Sequence, residues 1–281
     1  MKDIKRILEL NLALYKKYDI PIANLEEFVF GFKWAMAIDN NKKISFALRI
    51  GKEKPIAEYE SIIRELIGKP LDQCIVELLL KEDETLRTIL VVLSNLMSKP
   101  LNTVDLLKDR GIERSEGLNF NYDVKDMKVG LIGYGVYIRF FLNKCNEFHA
   151  FDLLPEKQIL SYHISKDSTE VYPKNIHFHL GEDALKHTDV LKDLDIIIMS
   201  GSTLVNNSYL DILNACTNAK IKGIYGPSSE LSPDYLFESG FNYIFSMNAK
   251  DSKTYLDCSF AAIPNFETFE VMDLYELKKV N

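Results

Sequence analysis

Hydrophobic positions in the first hundred residues change between helical and strand-like spacing. An amphipathic pattern opens the chain, and two later strand-like runs are separated by the turn-forming residues 39–42, which predict a hairpin. Asp83 is a candidate N-cap for an apolar helix that Pro100 ends. We therefore predict an α+β N-terminal domain, a hairpin plus helices, over residues 1–112. Its strands are expected at 28–38 and 44–50, and its later helices at 57–67, 71–80 and from 83.

From Met127 the pattern becomes strand, turn and helix in repetition. Short continuous apolar runs are typical of strands that are buried on both faces of a parallel sheet. The repetition predicts an α/β fold in which a Rossmann-like, doubly wound parallel sheet occupies residues 113–281. The predicted strands are 128–132, 147–151, 195–199, 221–225 and 243–246.

Composition narrows the function classes. The chain has 281 residues and a formal net charge of -7, and it carries no block of Lys or Arg, so nucleic acid is not an expected partner. No run approaches 18 apolar residues and no signal-peptide core is visible, so we expect a cytoplasmic protein without a membrane partner. The four cysteines form no C-x-x-C pair and are expected to be reduced. Homodimerisation is the default expectation.

Two predicted strands, 195–199 and 221–225, each end in a cluster of small polar residues. A helix predicted over 206–216 joins them into a strand-helix-strand unit. The carboxyl ends of parallel strands meet at one edge of an open sheet, where ligands bind. We therefore predict that these clusters bind a small polar or anionic metabolite in an interdomain cleft, although helix capping explains some of them. The candidate ligand-binding residues are Ser200, Gly201, Ser202, Thr203, Asn206, Gly226, Pro227 and Ser228.

A second constellation lies where the predicted strand 128–132 turns into a helix. Gly133, Tyr134 and Gly135 offer a tight turn and a helix N-terminus, and Asp152 closes the next strand. This pattern resembles part of a dinucleotide-binding fingerprint, but Ile138 stands where the third glycine belongs. NAD or S-adenosylmethionine is therefore the alternative cofactor. A purely structural role, with the glycines in a tight turn and the aspartate at a strand end, explains the same residues.

The acid, base and metal candidates are more dispersed. His177 and His179 would share one face of a strand and are candidate metal ligands, with a structural role as the default. Glu77, Glu84 and Lys33 are candidate catalytic residues, although carboxylates at helix starts serve more often as dipole partners. No G-x-S-x-G sequence occurs, so a classical hydrolase is not expected.

The chain from about residue 25 to 258 resembles a known pair of domains. The second domain is similar to the DUF364 family, which is associated with heavy-metal chelation, through Asp195-Ile-Ile-Ile-Met-Ser-Gly-Ser-Thr-Leu-Val-Asn206, Gly226-Pro-Ser228, Pro233, Leu236-Phe237 and Gly240. The first domain is similar to a DUF4213-type region with an enolase-N-terminal-like fold through Val29-Phe-Gly-Phe-Lys-Trp34 with Ala35, Ile67-Gly-Lys-Pro-Leu71 and Leu93-Ser-Asn95-Leu96.

The resemblance implies a ligand cleft between the two domains that takes a chelating metabolite or its metal complex. Two alternatives stay open at this point. One is an enzyme of small-metabolite biosynthesis that uses NAD or S-adenosylmethionine, and the other is a non-catalytic sensor or scaffold. The sequence leaves undecided whether any reaction is catalysed.

Overall fold

The structure is a computed structural model that describes residues 1–31, 33–50, 53–135, 137–250, 252–260 and 271–280, with the backbone alone at 258–260. The helices are α1 (Lys2–Tyr18), α2 (Ile56–Leu66), α3 (Leu71–Leu79), α4 (Arg87–Ser98), α5 (Val104–Asp109), α6 (Ile138–Phe141), α7 (Glu156–Ile159), α8 (Thr188–Asp193), α9 (Ser202–Val205), α10 (Tyr209–Ala215), α11 (Pro233–Glu238) and α12 (Ser252–Phe260). The strands are β1 (Leu25–Phe30), β2 (Trp34–Asp39), β3 (Ile44–Leu48), β4 (Ile112–Glu116), β5 (Lys128–Ile132), β6 (Glu147–Asp152), β7 (Ser161–Ile164), β8 (Thr169–Tyr172), β9 (His177–Leu180), β10 (Ile196–Ser200), β11 (Ile221–Tyr225), β12 (Tyr243–Ala249) and β13 (Met272–Lys279).

Tertiary contacts divide the chain into two compact units, and neither is continuous in sequence. Unit 1 consists of Met1–Leu118, Gly201–Asn207 and Ile224–Asn281, and unit 2 of Asn119–Ser200 and Ser208–Gly223. The polar residues that follow β10 and β11 therefore belong to unit 1. The domains predicted over 1–112 and 113–281 stay a prediction.

The small sheet of unit 1 is antiparallel and has the order β1-β2-β3. The apolar run 28–38, predicted as one strand, forms parts of two, because the chain reverses between Phe30 and Trp34. The Gly31 N–H donates to the Trp34 carbonyl across this reversal at 2.8 Å. Apolar residues on both sides of the turn hid it from the sequence pattern.

The predicted hairpin between β2 and β3 is confirmed, and Asp39 closes it. Its Oδ1 accepts hydrogen bonds from the N–H groups of Asn41 at 2.9 Å and Lys43 at 2.8 Å. Lys42 adopts a left-handed backbone with φ of 61°. An Asp side chain that bonds the backbone two residues on is a common way to fix such a turn.

Helix α4 forms the centre of unit 1, and all twelve of its residues are buried. Asp83 is an N-cap, as predicted, but it caps the 3₁₀ turn Glu84–Leu86 that directly precedes α4. Its carboxylate accepts from the Thr85 N–H at 2.9 Å. Ser45 of β3 donates its hydroxyl to the Val92 carbonyl at 2.8 Å. A polar contact thus fixes β3 against an otherwise apolar helix.

A second antiparallel ladder in unit 1 places β13 between β12 and β4.

Trp34 is 7 % exposed and lies in a hydrophobic cluster with Phe46, Tyr255 and Met272. Its ring meets the Phe46 ring edge-on, with 5.9 Å between the ring centres. The single tryptophan is therefore a core residue.

Unit 2 contains four parallel strands in the order β10-β5-β6-β9 and a separate β7-β8 hairpin. A Cβ on Gly130 in β5 would lie 2.4 Å from a terminal methyl carbon of Leu194, so a larger residue there would require that side chain to shift. The whole is a mixed α/β fold with an N-terminal helix, a small antiparallel sheet and a large, mostly parallel sheet, so the predicted fold class is confirmed.

Two predicted helices are observed, and both are shorter than expected. The helix predicted over 206–216 is α10, Tyr209–Ala215, which begins after Asn207 because that residue adopts φ of 62° and separates α10 from α9. The helix expected after Gly135 has four residues only.

In the described part of the chain, no helix has the length and apolar character that a membrane crossing requires. Cys74, Cys145 and Cys216 are free thiols, while the side chain of Cys258 lies outside the described residues.

A buried ion pair joins the end of α4 to the loop after β11. Lys99 Nζ lies 2.7 and 2.8 Å from the two carboxylate oxygens of Glu230 and also bonds Asn248, and the Lys99 and Glu230 side chains are 6 % and 2 % exposed. Burial lowers the pKa of Lys99 and raises the pKa of Glu230, while the charge of each partner opposes that shift. Removing one partner would leave the other charge buried alone.

We expect Lys99→Met to lower the free energy of unfolding by about 3–5 kcal/mol, because it strands the Glu230 carboxylate. The double variant Lys99→Met/Glu230→Gln should recover part of this loss. Urea denaturation followed by circular dichroism measures both. Lys17→Met, which breaks an exposed ion pair with Asp109, is the matched control and should change stability little. A single variant no less stable than the double one would contradict the expectation.

Candidate functional site

The two polar strand ends come together in unit 1. The Gly201 N–H donates to the Tyr225 carbonyl at 2.6 Å. A Cβ on Gly201 would lie 2.9 Å from the Ser229 nitrogen and 3.0 Å from the Ser228 Cβ. The Ser229 nitrogen belongs to the backbone and cannot easily move aside. A glycine at position 201 therefore allows the two segments to approach each other.

The segment after β11 is held by buried polar contacts. The Ser228 hydroxyl oxygen accepts from the Leu48 N–H at 3.0 Å, and Ser228 is 2 % exposed. The Asn95 amide of α4 donates to the carbonyl of Phe46 at 3.2 Å and to those of Pro227 and Ser228 at 3.4 Å each. The amide of Asn95 therefore connects α4, β3 and this segment.

The candidate ligand residues differ in access. Gly226, Pro227, Ser228, Gly201 and Thr203 are buried, Ser200 and Ser202 are half-buried, and Asn206 is exposed. Gly226 has φ of 102° and donates its N–H to the Phe245 carbonyl at 3.0 Å. Burial and backbone bonding give this segment a scaffolding role. The role of the set in ligand binding stays a prediction.

A cavity of about 300 Å³ in unit 1 brings two of the predicted groups to one wall: the candidate acid Glu84 and the candidate ligand residue Asn206. We name it the Glu84 cavity, and its described lining is Met1, Ile50, Glu84, Thr85, Arg87, Thr88, Val205, Asn206 and Asn207. Residues from both predicted domains contribute, although all of them belong to unit 1. The volume falls at the lower end of the range for small-molecule sites.

Arg87 anchors the wall of the Glu84 cavity. Its Nε donates to the Leu204 carbonyl at 2.8 Å, and both terminal nitrogens bond the carboxylate of Asp3, one at 3.1 Å. Burial alone raises the pKa of Asp3, but the hydrogen bonds and charge of Arg87 outweigh it and lower that pKa to about 2. The pair is therefore ionised at neutral pH and holds α1, α4 and α9 in one arrangement.

Three lining residues, Arg87, Thr88 and Asn207, carry roles that were not predicted from the sequence. A signal existed for Arg87, since a charged residue on an apolar helix is rarely buried without a partner. Two other candidates lie elsewhere. Glu77 forms an ion pair with Lys69 at 2.7 Å, and the Lys33 ammonium lies 5.3 Å from the Trp34 ring centre.

The glycine loop of unit 2 is bonded to its own acidic residue. The Asp152 carboxylate accepts from the Tyr134 N–H at 2.8 Å and from the Leu154 N–H at 2.9 Å, while the Gly133 N–H donates to the Phe151 carbonyl. Gly133 has φ of 80°, as a tight turn requires, and Gly135 is half-buried. These bonds serve the turn itself, and the NAD or S-adenosylmethionine site stays a prediction.

The two predicted metal candidates are part of a larger histidine cluster in unit 2. His177 and His179 of β9 face His149 of β6, with the His149 Nδ1 and His179 Nε2 atoms 3.0 Å apart. His187 lies 4.6 Å from His179 between ring centres, and Glu147 accepts from His149 at 3.0 Å. We name these five residues the histidine cluster. Parallel pairing of β6 with β9, which the sequence did not reveal, brings them together.

The histidine cluster consists mainly of stacked rings. Within the described part of the chain, no three His, Cys, Asp or Glu side chains converge in a way that could hold a metal ion. Burial lowers the pKa of His179 to about 4, and the charges of His149, His187 and His177 act in the same direction. Burial also lowers the pKa of His149, against the opposing effect of Glu147. His149 and His179 therefore resist protonation.

We expect Asn95→Ala to lower the free energy of unfolding by about 1–3 kcal/mol, because buried carbonyls lose their donor. Asn95→Asp keeps the shape but turns an acceptor toward those carbonyls, so it should be more destabilising. Urea denaturation measures both variants, and Asn218→Ala, at an exposed position of unit 2, is the matched control. Equal stability of the Ala and Asp variants would show that packing, and not hydrogen bonding, sets the cost.

The histidine cluster predicts a pH dependence of stability. A histidine whose pKa is lowered on folding binds more protons when unfolded, so stability falls as pH falls from about 6.5 toward 4. His179→Gln should flatten this fall. Thermal melts at half-unit pH steps measure it, and His163→Gln on the exposed strand β7 should keep the parent slope. Parallel slopes in parent and His179→Gln would refute the assignment.

The later part of the chain is similar to one known protein family. Residues 119–258 match the model of the DUF364 family, whose description reads "Putative heavy-metal chelation". No curated protein matches the chain. The DUF4213-type character of the first domain stays an expectation.

Two solved structures share the fold along nearly the whole chain. A DUF364 protein of unknown function from Desulfitobacterium hafniense has 17 % identity and a TM-score of 0.68, with 98 % of this chain and 99 % of that one covered. Another, from Pyrococcus horikoshii, has 17 % identity and a TM-score of 0.63 over the same shares. The resemblance noted from the sequence is confirmed for the later region: through residues 119–258, the chain belongs to the DUF364 family.

Proposed function

We propose that this protein binds a small polar metabolite in the Glu84 cavity, and that the metabolite is a metal chelator or its metal complex. The observation that carries the proposal is the shared wall of Glu84 and Asn206 with Arg87 and Thr88. These residues come from separate parts of the sequence. Their convergence on a cavity of ligand size is what a binding site requires.

The chemistry of the wall favours a ligand with both donors and acceptors. Glu84 is exposed and offers a carboxylate to an amino or hydroxyl group, while the exposed amide of Asn206 can donate or accept. Arg87 is committed to Asp3 and to the Leu204 carbonyl, so its part is to position the wall. Amino-acid-like chelators carry the complementary groups.

The proposal puts the metal-binding donors on the metabolite. The family description names heavy-metal chelation, and the described lining of the Glu84 cavity contains one carboxylate and no His or Cys. Carboxylate, amide and hydroxyl groups bind transition metals less well than imidazole and thiolate do. A complex that brings its own nitrogen ligands fits such a wall better than the bare ion.

Isothermal titration with the nickel(II) complex of L-histidine, with nickel(II) alone and with L-histidine alone tests this function. We expect the complex or the free amino acid to bind, and Glu84→Gln and Asn206→Ala to weaken that binding about tenfold each, as the loss of one charge-assisted hydrogen bond implies. Glu65→Gln and Asn218→Ala, both at exposed positions away from the cavity lining, should keep the parent affinity.

Free nickel bound by the histidine cluster would be unaffected by Glu84→Gln, so this variant separates the two kinds of binding. Affinity for the complex that is the same in the parent and in both cavity variants would refute the proposal. Absence of binding, together with native mass spectra of the purified protein that show no retained metabolite, would refute it as well. Titration of the parent and of Asp152→Ala with NAD and with S-adenosylmethionine tests the alternative function, an enzyme that uses one of these cofactors.

A further inference from the structure

Unit 1 contains a second, larger cavity of about 690 Å³ on other elements. We name it the lysine cavity. Its wall is formed by the β2-β3 turn, the segment after α4, strand β4 and the adjoining ends of β12 and β13. Its described lining is Ile20, Asn41, Lys42, Lys43, Ile44, Lys99, Pro100, Asn102, Thr103, Arg114, Asn248, Ala249, Lys250, Ser252 and Asp273.

Charge distinguishes the lysine cavity from the rest of the chain. Among its fifteen described lining residues, five are Lys or Arg and Asp273 alone is acidic, whereas the chain as a whole has 34 basic against 41 acidic residues. A concave surface lined by one sign of charge concentrates ligands of the opposite sign. The excess of positive side chains in the described lining therefore favours anionic ligands.

Two of these cations remain available to a ligand. Lys43 is exposed, and within the described residues no ion pair involves it. Lys42 is paired with Glu26 in an exposed ion pair, and because such pairs are weak its ammonium group can turn to a ligand at little cost. Arg114 is paired with Glu116 and lies 4.1 Å over the Tyr275 ring, which fixes its charge at the wall.

Lys99 adds a rigid, charge-balanced group to the wall. Its ammonium group is bonded to Glu230 and Asn248, so it contributes little net charge to the cavity. The buried pair makes this part of the wall rigid.

We infer that the lysine cavity binds a small organic anion that carries at least two negative charges. The charge follows from the four cations outside the buried pair, Lys42, Lys43, Arg114 and Lys250, and the size from the volume, which lies within the usual range for small-molecule sites. This site is separate from the Glu84 cavity, so either can fail without the other. The charged groups can be carboxylates or a phosphate ester.

Isothermal titration of the full chain in low-salt buffer with citrate, tricarballylate and glucose 6-phosphate tests the inference. Tricarballylate carries the same three carboxylates as citrate and has no hydroxyl group. We expect both tricarboxylates to bind if carboxylates supply the charge, and glucose 6-phosphate to bind if a phosphate ester does. Lys43→Gln/Lys250→Gln should weaken binding about tenfold, and raised salt should weaken it further.

Lys81→Gln/Lys157→Gln removes two exposed lysines that do not line the cavity and should leave the affinity unchanged. Both double variants alter exposed side chains, so equal melting temperatures would show that the fold is kept. Binding of glucose 6-phosphate in place of citrate would identify phosphate as the charged group. The inference is overturned if none of the three anions binds, or if both double variants lose affinity equally.

Discussion

The buried amide of Asn95 is the interaction on which the site region depends. From the middle of α4 it donates to the carbonyl of Phe46 in β3, 49 residues away in sequence, and to those of Pro227 and Ser228 after β11, 132 and 133 residues away. Ser228 completes the link by accepting from Leu48. Because these contacts are buried, losing one of them would be unfavourable, and together they hold the segment in position.

This constraint divides the polar residues of the strand ends into two groups. Ser228 and Pro227 face inward, where the Ser228 hydroxyl accepts from the Leu48 N–H and the Pro227 carbonyl accepts from Asn95, whereas Asn206 is exposed at the Glu84 cavity. A hydroxyl that already bonds a buried N–H is poorly placed to bind a ligand as well. The buried members of these polar segments thus shape the region, and exposed residues at its rim, such as Asn206, are the better candidates for contact with a ligand.

Sequence patterns were sufficient where the signal is local. The hairpin fixed by Asp39 and the turn capped by Asp83 depend on neighbours two to four residues away, and both were predicted. Arg87 and its partner Asp3 are 84 residues apart, and the histidine cluster depends on the register of β6 against β9. The break at Asn207 is a local feature that was still missed, since a left-handed asparagine leaves no mark in the hydrophobic pattern.

The two cavities of unit 1 share a physical design that follows from burial. Each has in its wall a buried ion pair, Asp3 with Arg87 in one and Lys99 with Glu230 in the other. A buried pair neutralises itself and contributes little net field, but its geometry is rigid because separating the charges is costly. Selectivity must then come from the exposed groups around it. Those groups are one carboxylate with amides and hydroxyls at the Glu84 cavity and mainly ammonium groups at the lysine cavity, so one scaffold would present two sites of different ligand preference.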